Sequence, residues 1–184
     1  MNFNEHWNLV GKHAFLSPSQ YHWVNYNLEK LEERFFNSKA AERGTELHEY
    51  AAMAIRLNRK QPKNQDTVNM FINDAIGYSM TPEQPLYYSD NCFGTADAIS
   101  FNKNVLRIHD LKTGVSPTSM MQLEIYAALF CLEYGHSPES MDIRLRIYQS
   151  NSKEEFVPES SAVSSLMDQI IEFDAMIEKF KESL

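Results

Sequence analysis

Three polar residues in the middle of the chain, Asp97, Asp110 and Lys112, have side chains suited to holding a divalent cation and assisting hydrolysis. They lie in two stretches, residues 93–101 and 105–112, whose composition predicts β-strands. Side chains two residues apart on a strand emerge on the same face, so Lys112 can reach the site of Asp110. An ammonium group there can orient an attacking water and neutralise charge on a pentavalent phosphorane.

The turn between these strands decides whether the two aspartates meet. If it centres on Lys103 and Asn104, where asparagine tolerates a positive φ, the strands form a hairpin in which Asp97 faces Asp110. Like charges directly opposed across a sheet repel each other, so this pairing favours a cation between them, such as Mg²⁺ or Mn²⁺. A shift of one residue would place the aspartates on opposite faces and remove the argument.

The same residues also have an ordinary structural interpretation. Asp-x-Lys triplets arise often by chance, and an aspartate or lysine near a strand end is usually just solvated. The triplet of Asp110 and Lys112 is weak evidence by itself, and its combination with Asp97 favours the metal site.

The elements that must position these residues alternate between helices and strands. Helices are predicted over residues 18–36, from Ser38 to a stop at residues 59–62, and over 66–80, 120–134 and 161–181. Strands are predicted over residues 86–89, 93–101, 105–112 and 142–149, with residues 81–85 as a loop. This order predicts an α/β or α+β fold with a central mixed sheet flanked by helices.

Length and composition limit the class of protein. At 184 residues the chain is expected to form a single domain over residues 1–184, and no apolar run approaches the roughly 18 residues of a membrane helix. The start of the chain lacks the apolar stretch of a secretory signal, so we expect a cytoplasmic protein without membrane contacts. Two cysteines, Cys92 and Cys131, cannot form a four-cysteine metal site and are predicted to be free, buried thiols.

Four motifs in order resemble the RecB-like branch of the PD-(D/E)XK nucleases, which includes phage exonucleases. The first is a helix motif from glycine to histidine at residues 44–48, and the second is a motif that ends in aspartate at residues 94–97. The third is the signature strand at residues 110–114, and the fourth is a helix motif from glutamine to tyrosine at residues 122–126. Residues 13–19 further resemble the N-terminus of a phage-associated group in this superfamily. The resemblance implies a restriction-endonuclease-like core without the iron-sulfur cluster that some relatives carry.

The resemblance also implies a role for each motif residue. It implies a metal site for one or two Mg²⁺ or Mn²⁺ ions whose ligands are His48, Asp97, Asp110 and the backbone carbonyl of Leu111. The catalytic set that it implies consists of Asp97, Asp110, Lys112, Gln122 and Tyr126. Gln122 and Tyr126 are one helical turn apart and therefore share a helix face, although a packed amphipathic helix would show the same spacing.

The function that the sequence favours is metal-dependent hydrolysis of DNA, with an exonuclease of phage or recombination and repair systems as the expected kind. Relatives that are processive exonucleases form rings. This resemblance suggests that the chain forms a homo-oligomer or binds a partner recombination protein. The net charge of -8 argues against phosphate binding and favours the alternative, a nuclease-derived protein that binds DNA or inhibits a partner with little cleavage. Arg144 and Arg146 share one strand face and either contact phosphates or are simply solvated.

Overall fold

A computed structural model of the chain describes residues 14–183. The chain divides after Arg43 into two compact units, and each is described by itself. The single domain over residues 1–184 stays a prediction. The resemblance at residues 13–19 falls partly outside the described residues. None of the helices in the described part is long and apolar enough to span a membrane.

The first unit contains a short 3₁₀ helix and the beginning of a long α-helix. The 3₁₀ helix covers Pro18–Asn25, and α1 covers Leu28–Arg56, which continues into the second unit. The prediction of one helix over residues 18–36 is wrong, because Tyr26 takes an extended conformation. The side chain of Asn27 then accepts a hydrogen bond from the backbone N–H of Lys30, as a helix N-cap does.

The prediction that Ser38 begins a second helix is also wrong. Ser38 lies inside α1, where its hydroxyl donates to the carbonyl oxygen of Phe35 at 2.8 Å. A serine that bonds back to the preceding turn satisfies its hydroxyl without ending the helix. The sequence signal at Ser38 is therefore compatible with an uninterrupted helix.

The second unit is built on a five-stranded mixed sheet, which confirms the predicted fold class. The strands follow chain order across the sheet, and only β3 and β4 run parallel. The strands are β1 Thr81–Ser89, β2 Cys92–Asn102, β3 Val105–Leu111, β4 Asp142–Gln149 and β5 Ser152–Phe156.

Both edge strands differ from the prediction. Residues 81–85 were expected to form a loop because of their prolines, yet they begin β1. Pro82 and Pro85 are tolerated there because an edge strand has one row of N–H groups without a ladder partner. The sequence analysis missed β5, whose residues 152–156 are all exposed and therefore lack an alternating apolar pattern.

The hairpin turn between β2 and β3 confirms the predicted register. Lys103 and Asn104 both have positive φ, at 50° and 59°, as a type I′ turn requires. Ile99 consequently pairs with Ile108, and the paired positions run as far as Ala98 opposite His109. The ladder ends one residue short of Asp97 and Asp110, so the direct opposition of these two residues stays a prediction.

Helices cover both faces of the sheet. These are α1, α2 Thr67–Gly77, α3 Met121–Tyr134 and α4 Ser160–Glu182, with a 3₁₀ turn at Pro138–Ser140. The side chain of Asp66 caps α2, and Gly135 ends α3 with a φ of 67°. The helix predicted over 66–80 is thus confirmed, shortened at its C-terminal end. Those predicted over 120–134 and 161–181 are confirmed within one residue at each end.

Two hydrophobic clusters hold the helices against the sheet. The α3 core packs α3 and α4 on one side and contains Leu86, Ala96, Ile99, Leu106, Ile108, Leu123, Ala127, Leu145 and Val163, among others. The α2 core packs α1 and α2 on the other side and contains Ala51, Ala54, Ile55, Phe71, Ile72, Ala75, Met80, Ala98, Leu111 and Tyr148. Successive residues of β3 and β4 alternate between the two cores, as strand geometry dictates.

Candidate metal centre

An irregularity in the β1–β2 pair marks the site. Ala96 and Ile99 both pack in the α3 core, whereas Ala98 packs in the α2 core. Strict alternation would give Ala96 and Ala98 the same face, so the pattern shifts by one residue at Asp97. In the opposite strand Glu83 has a φ of 51°, and the paired positions skip Glu83 and Asp97. The two strands are distorted together at this point.

The distortion brings three ligand-type side chains together. Nδ1 of His48, from α1, lies 3.4 Å from Oδ1 of Asp97, and a carboxylate oxygen of Glu83 completes a group whose atoms lie within 4.8 Å of one another. The hydrogen bond to Asp97 raises the pKa of His48 above its ordinary value. Burial raises the pKa of Glu83, and the charge of Asp97 adds to this effect. The Glu83 carboxylate therefore sits in surroundings that favour a compensating positive charge.

Asp110 and Lys112 lie beside this group at the end of β3. The Asp110 side chain is only 5% exposed, and Nζ of Lys112 lies 3.1 Å from its Oδ1 and 3.0 Å from its Oδ2. Oδ2 is buried and accepts no hydrogen bond from the described residues. Burial raises the pKa of Asp110, and the neighbouring charge of Asp97 raises it further. The Lys112 ammonium is thus the positive charge that faces this buried oxygen, which lacks a hydrogen bond of good geometry.

The backbone of Leu111 links the two strands of the site. Its N–H donates to Oδ2 of Asp97 at 2.7 Å, which fixes the Asp97 carboxylate against the end of β3. The Leu111 side chain is buried in the α2 core. Leu111 therefore contributes to the site through its backbone, and the role of its carbonyl as a metal ligand stays a prediction.

The motif residues of α3 reach the site through Lys112. Nζ of Lys112 donates to Oε1 of Gln122 at 2.9 Å, and Nε2 of Gln122 lies 3.5 Å from Oη of Tyr126. The Tyr126 ring passes close over Gly94, where a Cβ would lie 2.9 Å from ring carbon Cε1. Lysine, glutamine and tyrosine thus form one chain of contacts, and the proximity of Gln122 and Tyr126 to a substrate stays a prediction.

Glu83 is the site residue that the sequence analysis missed. It lies in residues 81–85, which were assigned to a loop, and no motif quoted for the resemblance includes it. The available signal was an acid flanked by prolines immediately before a strand. Without the pairing of β1 to β2, that signal does not place Glu83 opposite Asp97.

The donor set fits a hard divalent cation. Carboxylate oxygens of Glu83, Asp97 and Asp110 suit Mg²⁺ or Mn²⁺, and one imidazole nitrogen is compatible with Mn²⁺. Residues of α1 and β1 around His48 and Glu83 also line an open groove of about 740 Å³ beside the cluster. The site is therefore accessible to a ligand larger than a metal ion.

The other charged candidates are engaged elsewhere. Arg146 pairs with Asp74 at 2.8 Å and with Glu155, and its side chain is only 12% exposed. Arg144 pairs with Asp142 at 2.8 Å. Neither arginine is a free cation for phosphates. The imidazole of His109 lies on the α2 side of the sheet, beside the hydroxyl of Tyr148, as strand alternation predicts.

The thiols are unpaired, as expected from their number. Cys131 is buried, whereas Cys92 is half-buried. The prediction of free, buried thiols is therefore confirmed for Cys131 and only partly met by Cys92.

Comparison with known proteins gives one family match. Residues 81–170 match the model of a family described as "Protein of unknown function (DUF2800)". The matched stretch contains Glu83, Asp97, Asp110 and Lys112 but not His48. No curated protein and no solved structure matches the chain. The chain is thus similar, over its five strands, α3 and the first half of α4, to a family described as being of unknown function.

Proposed function

We propose that this protein is a metal-dependent nuclease that hydrolyses phosphodiester bonds of DNA with Mg²⁺ or Mn²⁺. The observation that carries the proposal is the meeting of His48, Glu83 and Asp97 next to the buried pair of Asp110 and Lys112. The order and identity of the motif residues, which resemble those of the RecB-like nucleases, give the reaction class.

The proposed ligands come from four different elements. His48 of α1, Glu83 of β1 and Asp97 of β2 would hold the ion. Oδ2 of Asp110, which is ion-paired with Lys112 but accepts no hydrogen bond from the described residues, would add a carboxylate from β3. A bound Mg²⁺ or Mn²⁺ supplies charge that polarises a phosphate and lowers the pKa of a water.

Lys112 is placed to act on the attacking water. Its ammonium is held between Asp110 and Gln122, at 3.1 Å and 2.9 Å from their oxygens. Both partners accept hydrogen bonds from the ammonium and therefore fix the direction of its positive charge. That charge can orient a water and stabilise the additional negative charge of the transition state.

Cleavage of defined DNA substrates tests the proposal. Linear and circular DNA, single- and double-stranded, is incubated with the protein in Mg²⁺, Mn²⁺ or EDTA. We expect cleavage only with a divalent ion, and a loss of about 100-fold or more in Asp110→Asn and in Lys112→Met. Degradation of linear DNA alone would identify an exonuclease.

Two matched controls separate the site from general charge effects. Asp142→Asn removes a carboxylate at the opposite end of the sheet, and Lys181→Met removes an exposed ammonium of α4. Both variants should cleave as the wild type does. If the wild type cleaves without a divalent ion, or if Asp110→Asn and Lys112→Met cleave normally, the assignment of the site is wrong.

A second candidate function is favoured by the charge of the molecule. The net charge of -8 and the paired state of Arg144 and Arg146 reduce the attraction for phosphates. A nuclease-derived protein that binds DNA or a partner without cleavage would show this charge. Wild type and Asp110→Asn would then be equally inactive while both bind DNA.

A further inference from the structure

The hairpin of β1 and β2 carries an exposed aromatic pair. Tyr87 and Phe93 are directly opposite each other across the two strands, and their rings stack with centroids 6.4 Å apart and planes 25° from parallel. Tyr87 is 48% exposed and Phe93 is 67% exposed. The pair thus presents a broad apolar surface to solvent instead of contributing to either core.

The pair lies on the face of the hairpin that leads to the metal centre. Gly94 and Ala96 point towards α3, so Phe93 and Thr95 face the opposite side of the hairpin. Asp97 meets His48 of α1 on that side. In β1 the residues opposite these three are Tyr87, Pro85 and, by continuation of the register, Glu83.

The residues that lie on this face before the metal centre are all exposed; they are Pro85, Tyr87, Phe93 and Thr95. We call these four residues the hairpin strip. Four residues of strand separate Phe93 from Asp97, a span of about 13 Å. Four stacked bases at roughly 3.4 Å each would cover this distance, and an unstacked single strand covers it with fewer nucleotides. A short stretch of one nucleic-acid strand would therefore reach from the aromatic pair to the candidate metal ligands.

We propose that the hairpin strip binds unpaired bases of single-stranded DNA whose backbone continues into the metal centre. This inference rests on the proposed function. Aromatic rings stack on the faces of bases, and those faces are accessible only where the bases are unpaired and unstacked. The strip therefore selects a single strand or a frayed end over the interior of a duplex.

The charges around the pair favour contact with bases over contact with phosphates. The hydroxyl of Tyr87 donates to Oδ1 of Asp90 at 3.0 Å, which orients the ring and places a carboxylate beside it. A phosphate would be repelled at this position, whereas the uncharged face of a base would not. Stacking also does not require a strongly basic surface, which agrees with the net charge of -8.

Binding of oligonucleotides without hydrolysis tests the inference. Fluorescence anisotropy is measured with a labelled 12-nucleotide oligo(dT) and a blunt duplex of the same length, in EDTA and again in Ca²⁺. We expect the wild type to bind the single strand more tightly than the duplex. Phe93→Ala and Tyr87→Ala should each weaken single-strand binding by about fivefold to a hundredfold, the loss of one stacked base.

Two variants control for unspecific effects. Phe156→Ala removes an exposed aromatic ring from β5, the opposite edge of the sheet, and should bind as the wild type does. Tyr87→Phe keeps the ring and loses only the hydroxyl, so it should retain most of the affinity. Equal affinity of Phe93→Ala, Phe156→Ala and wild type would overturn the inference. Failure of the wild type to bind in either buffer would do the same.

The result of the binding experiment is independent of the result of the cleavage experiment. If Phe93→Ala loses binding while the wild type cleaves nothing in Mg²⁺ or Mn²⁺, the hairpin strip stands and the nuclease proposal fails. If the wild type cleaves and Phe93→Ala binds normally, the nuclease proposal stands and the hairpin strip proposal fails. A dimer of the wild type that becomes a monomer in Phe93→Ala would assign the strip to a second copy of the chain and overturn the inference.

Discussion

Glu83 takes a left-handed backbone conformation directly opposite Asp97, and His48 approaches both from α1. A non-glycine residue with positive φ inside a strand is unusual and is maintained only where its surroundings enforce it. Here the conformation places a third carboxylate beside Asp97 and Asp110. Burial raises the pKa of Glu83 and of Asp110, and the charge of Asp97 adds to both effects, so a bound cation should stabilise the fold.

Thermal unfolding with added Mn²⁺ measures this stabilisation directly. A cation at 100 times its Kd stabilises the native state by about 2.7 kcal/mol, which raises the Tm of a chain of this size by roughly 5–10 °C. Asp97→Asn should lose most of the increase, because it removes a ligand while keeping the shape. Asp142→Asn should retain it. An equal increase in all three proteins would mean that Mn²⁺ binds elsewhere.

Gly94 is a residue whose lack of a side chain serves the site. A Cβ at this position would lie 2.9 Å from the Tyr126 ring, which contacts Gln122 and, through it, Lys112. Gly94→Ala should displace the ring and lower the cleavage rate by up to about 100-fold, since small misplacements of catalytic groups have effects of this size.

Gly77→Ala is the matched control for this substitution. Gly77 lies in α2, and no atom lies within 4 Å of the Cβ that alanine would add. It should leave cleavage unchanged and stabilise the fold by about 0.4–1 kcal/mol. Normal cleavage by Gly94→Ala would show that Tyr126 does not need its observed position.

At the scale of elements, α2 is fastened to the sheet by a polar network behind the metal centre. Oδ2 of Asp74 accepts hydrogen bonds from Arg146, Tyr148 and Lys153 at 2.8, 2.7 and 2.9 Å. Burial raises the pKa of Asp74, but the hydrogen bonds from Lys153 and Tyr148 outweigh it, so the pKa is lowered overall. This carboxylate therefore stabilises the fold when ionised.

Loss of this carboxylate should destabilise the protein at neutral pH. Asp74→Ala removes hydrogen bonds from charged partners and leaves Arg146 with Glu155 and the Tyr148 hydroxyl. We expect a loss of about 1.5–3 kcal/mol in denaturant unfolding. Because the folded pKa lies below the unfolded value near 3.9, the wild-type advantage should be complete above about pH 5 and disappear in acid. Asp142→Ala, which breaks an exposed pair, should cost at most about 1 kcal/mol. Equal losses would contradict the importance of the network.

The strands and turns also show which features of the fold could be predicted from the sequence. The turn at Lys103 and Asn104 and the alternation in β4 are local signals, so the register of the central hairpin was predictable. The strand at Pro82 and Pro85 was not, because prolines lower strand propensity and only the edge position makes them acceptable. Glu83 was missed for the same reason. A ligand on an edge strand becomes recognisable only when the partner strand is known.

At the scale of the whole molecule, a histidine buried on the α2 side of the sheet should make the free energy of unfolding depend on pH. His109 is 2% exposed, contacts Tyr148 and packs edge-on against Tyr78, with Arg146 and Arg107 nearby. Burial lowers its pKa to about 3, and the positive charge of Arg146 adds to the effect. The native state therefore holds this imidazole neutral.

The sign of the effect follows from proton uptake. In the unfolded chain histidine binds a proton near pH 6.5, whereas folded His109 does not, so acid favours unfolding. Native stability should fall as pH decreases below about 6.5, by up to about 1.4 kcal/mol per pH unit, until the folded pKa is reached. His109→Gln retains a hydrogen-bonding group without this titration and should flatten the decline between pH 6.5 and 4.

Denaturant unfolding at several pH values provides the measurement, with Tyr148→Phe as the comparison. That variant removes the hydroxyl beside His109 but keeps the imidazole buried, so its stability should be lower than that of the wild type and decline with a similar slope. Parallel curves for wild type and His109→Gln would place the acid sensitivity in other groups. A flattened curve would show that the helices on the α2 side stay packed only while this histidine remains uncharged, because protonation would bring a charge into a layer already occupied by two arginines.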